Sequence, residues 1–123
     1  MNYAFARNQY KKANNAALSA VSDPHEMIGL TMRELSRNLN ALQHEKIDSA
    51  RRQNLLSKAF TAVYILQTSL DFDKGQEIAA NLFKVYEYFR TQLQNDLRAP
   101  GQAELAVCHE IIEEIIDAWN NIN

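Results

Sequence analysis

The chain has 123 residues, 46 % hydrophobic and 23 % charged, with a formal net charge of −2. A single domain of this size buries about two-thirds of its unfolded surface, so no second domain or disulfide framework is required, and the lone Cys108 cannot form an internal bridge. Only three Gly and two Pro interrupt a composition rich in Ala, Leu, Asn, Gln, Glu and Lys/Arg, which points to an all-α class without strands.

The longest apolar run, Ala62 to Leu66, is five residues, against the roughly 20 needed to cross a bilayer. The opening MNYAFARNQYKK has no apolar stretch long enough for a secretory signal, so the expected location is cytoplasmic, with no membrane insertion. Residues 1–58 carry nine Lys/Arg against five Asp/Glu, and residues 59–123 carry four against ten. Because the basic residues of the first half alternate with acids, a solvated, partly paired surface is expected and no nucleic acid partner.

In chain order, the first periodic stretch is Tyr3, Ala6, Tyr10, Ala13 and Ala17, an amphipathic face without a firm cap. Residues 1–21 therefore read as a short or mobile N-terminal helical tail, frayed in water or lying as a cap in a groove, ahead of a bundle over residues 24–123 of one domain, 1–123. Asp23, Pro24 and Glu26 form a start signal: an N-cap, a proline at the first helical position and a glutamate reaching back. The helix that follows places Ile28, Met32, Leu35, Leu39 and Leu42 on a heptad seam. A break near Glu45 to Asp48 precedes a second seam, Leu56, Ala59, Val63, Leu66 and Leu70.

Asp71 and Asp73 then stand where a helix N-terminus favours acids. The helix after them carries two apolar lines, Ile78, Leu82, Val85 and Phe89 beside Phe72, Ala79, Phe83, Tyr86, Leu93 and Leu97. Together they cover an arc of roughly 160°, wider than the ~100° a surface helix commonly buries. Phe72 and Phe83 fall towards its far edge. Pro100-Gly101 punctuates before the last seam, Leu105, Cys108, Ile112, Ile115, Trp119 and Ile122. Such short connections predict an antiparallel up-and-down four-helix bundle. Tyr64, Ile65, Ile111 and Ile116 lie off the main seams and add to the surplus of apolar surface.

Chemistry has little support. Cys108 and His109 are neighbours, about 100° apart on a helix, and cannot serve one site as nucleophile and base. His109 and Glu113 share a face but make only two ligands, and no Glu precedes His25, His44 or His109 by three residues as a di-iron bundle requires. Gly29, Gly75 and Gly101 stand alone, so no phosphate loop forms. His44-Glu45-Lys46 fits a phosphotransfer site poorly. The expectation is a non-enzyme with no cofactor and no metal.

The stretch SLDFDKGQEIAANLFKVYEYF, residues 69–89, resembles the signature of the flagellin export chaperones, the FliS family. Its residues are Ser69-Leu70-Asp71, Gly75, Ala79 or Ala80 with Asn81-Leu82, and Tyr86 with Tyr88. Asp117-Ala118-Trp119 is similar to the family's closing acid-Ala-Trp, Asp23-Pro24 to its Ser-Pro, and Tyr10 to its N-terminal tyrosine. Two places depart from the pattern: Thr31-Met32-Arg33 replaces Leu-Tyr with a following small or acidic pair, and Gln76 replaces a frequent second Gly. The resemblance implies a cytosolic chaperone, monomeric and one-to-one with its client. It would bind the C-terminal segment of flagellin, block premature polymerisation and present the client to the flagellar type III export gate. Surplus surface and resemblance together nominate Tyr3, Tyr10, Ile65, Phe72, Ala79, Phe83 and Tyr86 as client contacts. A self-associating helical-bundle structural or adaptor protein is the alternative use of the same surface.

Overall fold

A computed structural model describes residues 23–44 and 46–122. The expected N-terminal segment, with Tyr3 and Tyr10, lies outside the described residues. Within them the chain is all-helical: α1 (Pro24–Leu42), α2 (Ser49–Thr68), α3 (Phe72–Arg98) and α4 (Leu105–Asn120).

Aspartates start three of the helices by accepting backbone N–H groups that the first turn leaves without partners. Asp23 accepts from His25 at 3.0 Å, Asp48 from Arg51 at 2.8 Å, and Asp71 from Asp73 and Lys74 at 3.1 and 3.0 Å. Pro24 occupies the first turn of α1, where its missing N–H costs no intrahelical bond. The reach-back by Glu26 is not among the bonds of the described residues; Glu26 is exposed instead. Past the end of α3 the chain turns at Gly101, whose φ of 87° suits a residue without Cβ.

Side-chain periodicity then dictates the packing. Leu35, Leu39, Val63, Phe89, Leu93 and Ile112 are wholly excluded from water and bring all four helices into one core. The helices form a ring in which α1 packs on α2 and α4, α2 packs on α3, and α3 with α4 is the sparsest pairing. Cross-helix bonds fix the directions: Arg52 near the start of α2 reaches Leu42 at the end of α1 and Asp96 at the end of α3. At the other end, Trp119 of α4 donates its indole N–H to the His25 carbonyl of α1 at 2.8 Å. The result is an antiparallel four-helix bundle.

Two details of α3 differ from the heptad expectation. Gln76 has φ 45° and ψ −116°, so the helix is broken there. Beyond the break the buried line runs Ala79, Tyr86, Phe89 and Leu93, between the two apolar lines, and leaves Ile78 71 % exposed. Ile122, expected to end the α4 seam, is also exposed, while the off-seam Ile116 is buried.

Candidate functional site

The two ends of the bundle are built differently. At the end formed by the α1–α2 and α3–α4 connections, Arg52 and Asp96 make an ion pair at 2.6 Å, with Asp96 1 % exposed. The second Arg52 amine donates to the Leu42 carbonyl at 3.3 Å, and the Gly101 N–H donates to the other Asp96 oxygen at 3.2 Å. Both carboxylate oxygens are satisfied, and three helices and a turn are tied by one buried pair.

The opposite end holds the start of α1, the end of α2, the start of α3 and the end of α4. It is tied more loosely. The His25 ring stacks on Trp119 with centroids 4.4 Å apart and planes at 7°, and the indole lies over Gly29, where a Cβ would make ordinary contact with it at 3.4 Å. Beside this contact lies a cavity of about 420 Å³ lined by Asp23, Glu26, Arg33, Trp119 and Ile122, among others. Of the eight large apolar side chains exposed among the described residues, Leu97 and Val107 belong to the tied half; the other six belong to this open half. Apolar exposure is therefore concentrated where the fold is least cross-linked.

The nominated residues divide by burial. Phe72 and Phe83 are 50 % and 38 % exposed, their rings 6.1 Å apart and tilted by 58°. Ile65 is half-buried on α2. Ala79 and Tyr86 are core: they are 3 % and 1 % exposed, and burial pushes the Tyr86 hydroxyl up to about 12. In this conformation they support the surface from beneath and do not line it. Tyr64 and Ile78, both outside the nominated set, are the most exposed large apolar side chains of the open half. Tyr64 was legible as an off-seam residue; Ile78 was hidden because it sits on a heptad line.

Polar groups edge the surface. Gln67 on α2 donates to the Phe83 carbonyl at 3.5 Å and to Glu87 at 3.2 Å, and Arg90 donates twice to Glu87 at 2.8 and 3.0 Å. The Arg90 and Gln67 bonds hold the Glu87 carboxyl below its ordinary 4.5. Along the sparse α3–α4 seam Glu104 is the anchor: its carboxylate accepts from the Tyr88 hydroxyl at 2.6 Å and its N–H donates to Gln92 at 3.0 Å. The Glu104 contact, with some burial, pushes the Tyr88 hydroxyl up to about 12. The Tyr-x-Tyr of the sequence signature thus supplies a core residue and an interhelical tie.

Among the described residues no geometry for bond chemistry appears. Cys108 is buried, and desolvation, with Glu104 nearby, pushes its thiol up to about 12, away from the nucleophilic thiolate. His109 and Glu113 face each other at 3.8 Å on the outside of α4. Among the described residues no three His, Cys, Asp or Glu side chains gather as metal ligands, and no helix is long and apolar enough to cross a membrane.

Comparison with known proteins identifies the family. A model of the family described as Flagellar protein FliS matches residues 6–123. The flagellar secretion chaperone FliS of Salmonella typhimurium is 33 % identical over 113 residues, which cover 89 % of this chain and 82 % of that one. The flagellar secretion chaperone FliSB of Pseudomonas aeruginosa is 26 % identical over 122 residues, 96 % and 95 % of the two chains. The FliS chaperone of Vibrio cholerae is 26 % identical over 117 residues, 92 % and 85 % of the two. No solved structure matches. With a family match that runs over nearly the whole chain, the chain belongs to the FliS family.

Proposed function

We propose that this protein is a cytoplasmic export chaperone that binds the C-terminal segment of flagellin on the open half of the bundle. By holding that segment it prevents premature polymerisation and keeps flagellin competent for hand-over to the flagellar export gate. The observation that carries this reading is the concentration of exposed apolar side chains, Ile78, Phe83 and Tyr64 among them, in the half opposite the Arg52–Asp96 tie. The names of the relatives, secretion chaperones in three bacteria, support the same class of role.

The energetics require such a surface. Ordering a disordered segment costs about 1 to 2 kcal/mol per residue of backbone. At about 25 cal/mol per Å² each ordered residue must bury roughly 40 to 80 Å² of apolar surface to break even. A polar face cannot supply that; an apolar strip edged by polar groups can, when the client folds into amphipathic helices along it.

The test is calorimetric titration with a peptide of the C-terminal flagellin segment from the same cell. Binding should be one-to-one, with a gain of helical circular dichroism and a negative heat-capacity change. Phe83→Asp should weaken binding at least tenfold while leaving the melting temperature within a few degrees, because Phe83 is already part-exposed. If the wild-type protein takes up no peptide at micromolar concentration and instead sediments as a dimer, the surface serves self-association and the chaperone reading fails.

A further inference from the structure

Gln76 is the one non-glycine residue with positive φ among the described residues, and its φ 45°, ψ −116° is a combination that a side chain with Cβ resists and glycine accepts. The consequence is geometric. In an unbroken helix Phe72 and Phe83, eleven positions apart, would be separated by about 16 Å along the axis. Their rings are 6.1 Å apart. The break folds the first turn of α3 back along the helix and lays Phe72 against Phe83.

That turn is a separate small unit. Asp71 accepts from the N–H groups of Asp73 and Lys74, and the Gly75 N–H donates to the Asp71 carbonyl at 2.7 Å. Gly75 must stay small, since a Cβ there would meet the Ala79 Cβ at 2.9 Å. Phe72 itself is 50 % exposed, and Phe83 is its only aromatic neighbour among the described residues. So a strained backbone hinge is balanced against one half-exposed aromatic contact.

We propose that the turn from Phe72 to Gly75 is a lid, hinged at Gln76, that rests on Phe83 while the surface is free and swings off when a client segment takes Phe83. The proposal rests on the client-binding reading of the open half. Opening returns Gln76 to helical angles, so the strain released offsets the Phe72–Phe83 contact that is lost, and two states lie close in free energy. Straightening α3 carries the Phe72 ring away by roughly 10 Å. A closed lid competes with the client, and the apparent affinity falls with the closed fraction.

Two substitutions at the hinge push in opposite directions. Gln76→Gly removes the strain of the closed state and weakens the straight helix, so it should hold the lid down and weaken peptide binding roughly five- to tenfold. Gln76→Ala keeps the closed-state strain and favours the straight helix, so it should tighten binding by a few-fold. Phe72→Ala, which removes the lid's contact, should also tighten it. Affinities for the flagellin C-terminal peptide are read by calorimetry. Movement of both Gln76 variants in the same direction, or weaker binding by Phe72→Ala, overturns the lid.

A second arm needs no client. NMR relaxation dispersion on the free protein should show exchange in the amides of residues 73–79, suppressed in Gln76→Gly. Flat profiles in the wild-type protein overturn the lid whatever the peptide does. Exchange that Gln76→Gly suppresses, in a protein that takes up no peptide, supports the lid and rejects the client.

Discussion

Asp96 is 1 % exposed and is paired with a single guanidinium, that of Arg52 at 2.6 Å. Removing one partner of such a pair leaves the other charge buried without compensation, at a cost of about 3–5 kcal/mol. Asp96→Ala should therefore lower urea stability by that amount, whereas Arg52→Met with Asp96→Leu together should restore most of it. A loss under about 1 kcal/mol for Asp96→Ala would mean that water already reaches the site. Periodicity could not find this pair. Its members stand 44 positions apart, and each falls among residues that read as solvated surface. The signals that were legible at this scale are local ones: Asp23 as a cap, Asp71 as an acid at a helix start, and Trp119 on the α4 seam. Trp119→Ala should cost about 3 kcal/mol, because it removes the stack on His25, the bond to the His25 carbonyl and the packing over Gly29.

For whole helices, the apolar spacing reads correctly wherever the backbone keeps one phase. The α1 and α2 seams are buried almost as spaced, from Met32 to Leu42 and from Leu56 to Leu66. In α3 the phase is reset at Gln76, so the wheel no longer relates Phe72 to the side chains beyond the break, which keep one phase among themselves. Ile78 shares a face with the buried Phe89, about 20° round the helix, yet stands eleven positions nearer the open end and is exposed, while Tyr86, assigned to the client surface, is core. The departure from the family's glycine at position 76 was visible in the sequence; that it demands positive φ became visible only with the fold. This contrast makes a sharp prediction. Phe89→Ala should cost about 3–5 kcal/mol, while Ile78→Ser should stay within about 0.5 kcal/mol in the same denaturant series. Equal losses would place Ile78 in the core after all.

The molecule as a whole is tied at one end and open at the other, and its titratable groups link that architecture to pH. Tyr86, Tyr88 and Cys108 hold the α3–α4 side together, and all three are pushed up to about 12, from ordinary values of 10.0, 10.0 and 9.0. The causes are burial for Tyr86 and Cys108, and the bond to Glu104 for Tyr88. A raised value in the folded chain means that the folded state keeps its proton where the unfolded state has lost it. The stabilisation is fully present below the unfolded values and is lost as pH rises towards the folded ones. Stability from these groups should therefore be level through about pH 8 and fall progressively between about pH 9 and 12. Cys108 titrates first in the unfolded chain, so Cys108→Ala should delay the onset towards about pH 10, where the tyrosines begin. Tyr88→Phe should remove the share contributed by the Glu104 bond and with it part of the alkaline slope, at a cost of about 1 kcal/mol near neutrality. Denaturant melts at unit pH steps measure both. A Cys108→Ala profile that begins to fall at the same pH as the wild type would show that water reaches the thiol in the folded state, and the α4 seam would then be less tightly closed than its burial indicates.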